Sequence, residues 1–106
     1  MAFTRNTNKT YWWSGVIREP NEEGEMVSSG IRLKFKRIGQ LEAMEFDGDA
    51  QLLKGIILDW SGIQDTTGKE VPFSKKELDD MLNDQFIAIS FAQIYFDALQ
   101  KARTGN

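Results

Sequence analysis

The sequence contains no cysteine and no histidine among its 106 residues. Without cysteine there are no disulfides, thiolate nucleophiles or zinc-thiolate sites, and without histidine the commonest metal ligand and general base is missing. Calcium loops, phosphate-binding glycine loops and nucleophile elbows have no match in the sequence either. The sequence therefore predicts a protein that is not an enzyme and that needs no metal or other cofactor.

Long apolar runs and a basic leader followed by an apolar stretch are also missing. A membrane span needs about 18 apolar residues, and a secretory signal needs that kind of leader. These absences predict a cytoplasmic protein with no membrane partner. The length, with 41% hydrophobic and 27% charged residues, predicts a single domain over residues 1–106. Residues 1–9 and 102–106 are expected to be flexible.

Charge is unevenly distributed, although the net charge is only -3. Residues 1–40 carry seven Lys/Arg against four Glu, whereas residues 41–106 carry six Lys/Arg against twelve Asp/Glu. The two halves could attract each other, or each could attract the opposite half of a neighbouring molecule. Arg32, Lys34 and Lys36 alternate with apolar residues, which favours the solvated face of a strand over a nucleic-acid site.

Strand patterns dominate the first third of the chain. Residues 10–18 are rich in β-branched and aromatic side chains, with a bulge or bend expected at Ser14-Gly15. After a loop at residues 20–24, a short strand is expected to begin at Met26. Residues 31–36 then alternate strictly, so Ile31, Leu33 and Phe35 should face inward. Together these segments predict a small antiparallel meander with one apolar face.

Helical patterns follow and must cover that face. Apolar residues recur at helical spacing over residues 41–46 and again over 51–58, with Asp49 as the expected N-cap of the second helix. Residues 64–69 predict a turn. Ser74 and Glu77 match a capping box, and Asn83-Asp84 can end that helix and cap the last one. The fold class predicted is α+β: a small N-terminal antiparallel β-sheet packed against three to four C-terminal helices.

The last helix, predicted over residues 84–101, carries apolar residues on more than one side. A surface helix needs one apolar stripe of roughly 100°, so this helix must bury a second. It is either packed on two sides by its own domain, or one stripe binds a partner chain. The first stripe comprises Ile87, Phe91, Ile94 and Ala98, and the second comprises Ile89, Ala92, Phe96 and Leu99. We expect the first stripe, and Phe91 in particular, to be internal. Ser90, Gln93, Asp97, Gln100 and Lys101 share the polar arc.

Tyr11, Trp12 and Trp13 are the strongest aromatic cluster in the sequence. Aromatic residues beside Arg and Lys on a sheet can stack on the bases of single-stranded nucleic acid. Consecutive residues on a regular strand point to opposite faces, so only one tryptophan can share a face with Tyr11. We therefore expect a core role with partial exposure, which leaves Trp12 and Trp13 as candidates for partner contact.

Residues 31–103 resemble a family of tail assembly chaperones encoded by long-tailed bacteriophages and prophages. The resemblance rests on the order and spacing of a strand at 33–38, a short helix with Gln40 and Glu42, the segment 57–63, a hairpin with Asp65 and Gly68, the helix start at 71–74, and the closing helix with residues 95–99. The first 30 residues, including the aromatic cluster, lie outside the resemblance.

The resemblance implies a non-enzymatic helper that binds the tape-measure protein, with the tail tube protein as a second candidate partner. Such proteins act in the bacterial host cytoplasm and are missing from the mature virion. Trp60, Pro72 and Phe73 would occupy the turn between helices, while Tyr95, Phe96 and Leu99 on the last helix would be structural or contact positions. Self-association through the same apolar surface is expected. The alternative function is a small nucleic-acid-binding regulator that uses the aromatic, basic sheet face.

The first testable prediction concerns metal. Because Cys and His are missing and only Asp80 and Asp84 could converge among the clustered carboxylates, we expect a chelator to leave the melting temperature unchanged. Thermal denaturation with and without chelator, together with elemental analysis of the purified protein, checks this. Stoichiometric metal, or a lower melting temperature in chelator, would contradict the prediction.

Overall fold

The chain forms an antiparallel sheet whose inner face is covered by helices. The structure is a computed structural model that describes residues 2–5 and 7–104. Over these residues the elements are β1 (Thr10–Pro20), β2 (Met26–Lys36), α1 (Gln40–Met44), α2 (Asp49–Ile56), β3 (Ile57–Ser61), α3 (Lys75–Leu82) and α4 (Gln85–Thr104). The sheet order is β1-β2-β3. The predicted α+β fold class is confirmed.

β2 is the central strand, and its alternation decides which face of the sheet is buried. Ile31, Leu33 and Phe35 are buried, whereas Arg32 and Lys36 between and after them are exposed. Phe35 lies at the centre of an aromatic cluster, because its ring centroid is 5.5 Å from that of Tyr11 and 5.3 Å from that of Tyr95. These contacts join both β1 and α4 to the middle of the sheet.

β3 was not expected from the sequence, and it corrects the predicted end of the second helix. The helix was expected to reach Leu58, but α2 ends at Ile56 and the chain continues directly as β3. Ile57 pairs with Phe35 and Trp60 pairs with Leu33. A continuous apolar run fits a buried strand as well as a buried helix. Whether these residues form a strand therefore depends on the presence of a partner strand, which β2 provides. The sheet therefore takes its third strand from the middle of the chain.

The bulge expected at Ser14-Gly15 is not formed, because β1 pairs with β2 in unbroken register from Thr10 to Pro20. The irregularity lies instead between Lys34 and Phe35, where β2 pairs with β3. Gly15 has a packing role: a Cβ atom at this position would lie only 2.3 Å from Cγ1 of Ile94. Glycine therefore allows α4 to press directly onto β1.

The helix ends follow the capping rules with two corrections. Asp84 caps α4 as predicted, since its Oδ1 accepts hydrogen bonds from the N–H groups of Phe86 (2.9 Å) and Ile87 (3.3 Å). The N-cap of α2 is Gly48, at φ 93°, and Asp49 is the first helical residue. α4 continues to Thr104, so the tail predicted to be flexible is helical that far; residues 105 and 106 lie outside the described residues.

The connection between β3 and α3 is fixed by polar contacts. The turn begins at Asp65, whose Oδ1 accepts from the N–H and hydroxyl of Thr67 and from the N–H of Lys69. These bonds favour the charged carboxylate and lower the pKa of Asp65. Beyond the turn, the Trp60 indole N–H donates to the carbonyl of Val71 at 2.8 Å. Phe73 packs edge-on against Trp60 at 5.0 Å between ring centroids, and the intervening Pro72 is exposed.

The second prediction tests the start of α3. The Ser74 hydroxyl accepts the N–H of Glu77 at 3.0 Å, as the capping box predicts, so Ser74→Ala should cost about 1 kcal/mol of unfolding free energy. Ser74→Asp is the matched control because it keeps an acceptor oxygen and should be close to wild type. Urea denaturation measures both. An unchanged midpoint in Ser74→Ala would mean that the cap contributes nothing to stability.

Candidate functional site

The two apolar stripes of α4 have different environments. In the first stripe, Phe91 is fully buried and Ile94 is 4% exposed, and both belong to the core that also contains Leu78 and Leu82 of α3. In the second stripe, Ile89 is 57%, Phe96 45% and Leu99 47% exposed, and Ala92 is partly buried. The helix therefore turns its first stripe toward the core and leaves much of the second at the surface.

Polar contacts between α4 and β1 hold the helix in this rotation. The N–H of Arg18 donates to the Ser90 hydroxyl at 3.0 Å, and the Trp13 indole N–H donates to Oδ2 of Asp97 at 3.1 Å. Ser90 is only 2% exposed, although it lies with the polar residues of the helix in sequence. Its burial is tolerated because the hydroxyl satisfies a backbone N–H of the edge strand.

An apolar groove runs between α2 and α4. It encloses about 340 Å³, and its lining is predominantly apolar. Leu53 of α2 forms part of its buried floor, whereas Ile89 and Phe96 of α4 remain largely exposed. The full lining is Asp49, Ala50, Leu53, Ala88, Ile89, Ala92, Gln93 and Phe96. We take this groove as the candidate functional site.

The structure brings together only some of the residues predicted to contact a partner. Ile89, Ala92 and Phe96 line the groove, and Leu99 lies further along the same helix. Trp12 and Trp13 lie on the sheet and do not line the groove. Trp13 packs against the core and is tied to α4. The groove is therefore a site made by helices alone.

Three alanine and leucine positions of the groove were missed as site residues: Ala50, Leu53 and Ala88. Leu53 lies in the segment 51–58, which was predicted only to be helical, and Ala88 belongs to neither stripe of the last helix. The sequence gives no signal that α2 and α4 lie side by side, because they are separated by a strand, a turn and another helix. Asp49 and Gln93 complete the lining with polar groups.

The outer face of the sheet carries Trp12, Arg32 and Lys34, the candidate residues for nucleic-acid binding. Trp12 pairs across from Lys34 on this face, and the Arg32 guanidinium lies over the Trp12 ring at 5.1 Å from its centroid. Tyr11 packs on the inner face against Phe35. Trp12 is therefore separated from Tyr11 and Trp13, and it is already covered in part by a cation.

The groups available for chemistry are few. Burial raises the pKa of Tyr11 to about 12, with nearby Tyr95 adding to the shift and Arg37 opposing it. Burial also raises the pKa of Tyr95. Both phenols therefore keep their protons near neutral pH. In the part of the chain that the structure describes, no three carboxylates are grouped to hold a metal ion, and no helix is long and apolar enough to cross a membrane.

Fold and groove together define a small α+β protein with an exposed, predominantly apolar groove between two helices. The model of the YdaY prophage protein family matches residues 36–104, about two thirds of the chain. The chain belongs to this family and is a prophage-derived protein. The match begins at the end of β2, so β1 lies outside it. No curated protein and no solved structure matches the chain.

The third prediction separates the two stripes with one chemical change. Phe91→Ala removes a fully buried ring and should cost about 3 to 5 kcal/mol. Phe96→Ala removes a ring that is 45% exposed and should cost less than about 1.5 kcal/mol. Chemical denaturation followed by circular dichroism compares them. Equal losses would mean that both stripes belong to the core and that the groove is not a free surface.

Proposed function

We propose that this prophage protein is a tail assembly chaperone, a non-enzymatic protein that binds the tape-measure protein while the tail is built. Membership of the YdaY family supports the phage context. The resemblance to tail assembly chaperones covers residues 31–103, almost the same segment as the family match. The observation that carries the proposal is the exposed apolar groove between α2 and α4.

The groove suits an amphipathic helix. Ala50, Ala88 and Ala92 have small side chains, so a third helix could approach the groove at the usual interaxial distance of about 8 to 10 Å. Ile89 and Phe96 are seven residues apart, which is about two helical turns or 10 Å. A partner helix with apolar residues at matching i, i+3 or i+4, and i+7 positions would bury both side chains. The partner class is therefore an apolar helical segment.

The exposed apolar surface also bears on when the protein would bind and release its partner. Ile89, Phe96 and Leu99 lie exposed on one stripe, and such surfaces favour association over remaining in water. Before the tape-measure protein is made, the groove would pair with a second copy of the chain. Once the tail is assembled, the protein would be released into the host cytoplasm and would be absent from the mature virion. The tail tube protein is the second candidate partner.

Nucleic-acid binding is the competing function, and its support comes from Trp12, Arg32 and Lys34 on the outer face of the sheet. One aromatic ring, shared with Arg32, offers little area for stacking bases. A nucleic-acid interface would also lose affinity steeply as salt rises, whereas burial of an apolar helix would not. Salt dependence therefore distinguishes the two functions.

The fourth prediction tests capture of the tape-measure protein. Co-expressed with a tape-measure protein from the same prophage, the wild-type chain should co-purify with that protein at low and high salt. Phe96→Asp places a charge where an apolar contact worth about 1.5 to 3 kcal/mol is proposed. That variant should stay folded and lose at least about tenfold in affinity.

Phe96→Leu is the matched control, since it keeps an apolar side chain and should retain binding. Trp12→Ala should also retain it, because Trp12 lies outside the groove. Salt-sensitive binding to oligonucleotides that is lost in Trp12→Ala would favour the competing function. A folded Phe96→Asp variant that still captures the tape-measure protein would remove the groove from the proposal.

A further inference from the structure

The hairpin that joins β1 and β2 ends in an acidic tip, which comprises Glu19, Glu22, Glu23 and Glu25. All are exposed, and none makes an ion pair within the described residues. The tip has a defined shape: Oδ1 of Asn21 accepts from the N–H groups of Glu23 (3.0 Å) and Glu25 (2.9 Å). Gly24 closes the turn at φ 83°. The carboxylates are thus presented on an ordered projection.

A basic cavity lies at the other end of the same strands. It encloses about 490 Å³ and is formed by residues 3, 5, 8 and 9 before β1 and by residues 37–39 after β2. Arg5, Lys9 and Arg37 line it, together with apolar Phe3 and Ile38. The N–H of Arg37 donates to the carbonyl of Lys9 at 2.7 Å, which ties the two segments together. Lys36 nearby is paired with Glu42, but the three lining cations make no ion pair within residues 2–5 and 7–104.

The tip and the cavity cannot meet within one molecule. Lys9 and Glu19 are ten residues apart on an extended strand, which separates them by about 33 Å. That exceeds the Debye length of about 8 Å at physiological ionic strength by a wide margin. Both clusters lie within residues 1–40, so their pairing is separate from the charge difference between the two halves of the chain. The unbroken β1-β2 ribbon, in a chain 51 Å long, keeps the two clusters apart within one molecule.

We propose that the acidic tip of one copy docks into the basic cavity of a second copy. Charge complementarity selects the occupant, because the chain itself carries a protruding cluster of carboxylates that matches the cavity in sign. Arg5 and Arg37 can each hold a carboxylate through paired N–H donors. Phe3, which is 87% exposed, can pack against the stem of the incoming hairpin. The contact joins two different surfaces, so it builds a reciprocal antiparallel pair, a ring or an open chain.

The proposed contact is separate from the groove and gives a role to residues outside the family match. The acidic tip and most of the cavity lie before residue 36. Self-association through the groove would be apolar and symmetric, whereas association through tip and cavity would be electrostatic and directional. The two can be tested with different variants in the same full-length protein.

The experiment uses charge reversal at each end. The tip variant carries Glu22→Lys, Glu23→Lys and Glu25→Lys, and the cavity variant carries Lys9→Glu and Arg37→Glu. Sedimentation velocity should show wild-type association at low salt that weakens as salt rises. Each variant alone should lose the salt-dependent association and keep only the salt-insensitive pairing through the groove. An equimolar mixture of the two should recover the salt-dependent association, because each contact between one variant and the other joins opposite charges.

Two further variants isolate the effect. Glu45→Lys, Glu70→Lys and Asp80→Lys together change the net charge as much as the tip variant does, and this variant should associate like wild type. Phe96→Asp should keep the salt-dependent association. The proposal is overturned if wild type stays monomeric at low salt, if the mixture does not recover the salt-dependent association, or if association is salt-insensitive and lost in Phe96→Asp. Circular dichroism of each variant confirms that a negative result comes from a folded protein.

Discussion

The contact between Gly15 of β1 and Ile94 of α4 fixes how the last helix lies on the sheet. A side chain larger than hydrogen at residue 15 would occupy the space that Ile94 fills. With the backbone of β1 this close, α4 has little freedom to rotate about its axis. Ser90 and Asp97, one turn before Ile94 and one turn after it, add hydrogen bonds to Arg18 and Trp13. The rotation of α4 is thereby set by packing and by polar contacts together.

The candidate site is a consequence of that rotation. Since α4 turns Phe91 and Ile94 inward, its other apolar stripe must face away from the sheet. α2 covers part of this stripe through Leu53, and the remainder of Ile89 and Phe96 stays exposed. A helix with two apolar stripes on a sheet this small cannot bury both. The groove is therefore the apolar surface that the fold itself leaves exposed.

The sheet contributes a different property, which is separation of charge. A hairpin of two long strands holds its turn far from its open end, and the glutamates and the basic residues fall at these opposite ends. An apolar groove and a charged ribbon then serve different kinds of contact. Hydrophobic contact is non-directional and changes little with salt, whereas the charge pairing proposed here joins two particular surfaces and weakens as salt rises. In the two proposals above, the groove would hold a partner and the charged ribbon would join copies of the chain.

The sequence alone determined the features that depend on neighbouring residues. Alternation made Ile31, Leu33 and Phe35 the inner side of a strand, and side-chain caps placed the starts of α3 and α4 at Ser74 and Asp84. Helical periodicity also revealed that α4 carries two apolar stripes. Strand alternation, helix caps and helical stripes each depend on the geometry of a few neighbouring residues. They can therefore be predicted without knowing which distant residues pack against them.

Only the tertiary structure decided the features that depend on distant residues. Ile57 became part of a strand because β2 offered an unpaired edge, although its spacing also fits a helix. Ser90 became buried because an N–H of β1 needed an acceptor. The groove required α2 and α4 to be side by side, which no local pattern encodes. Burial and strand pairing are set by the surface that packs against a residue, and that surface comes from elsewhere in the chain.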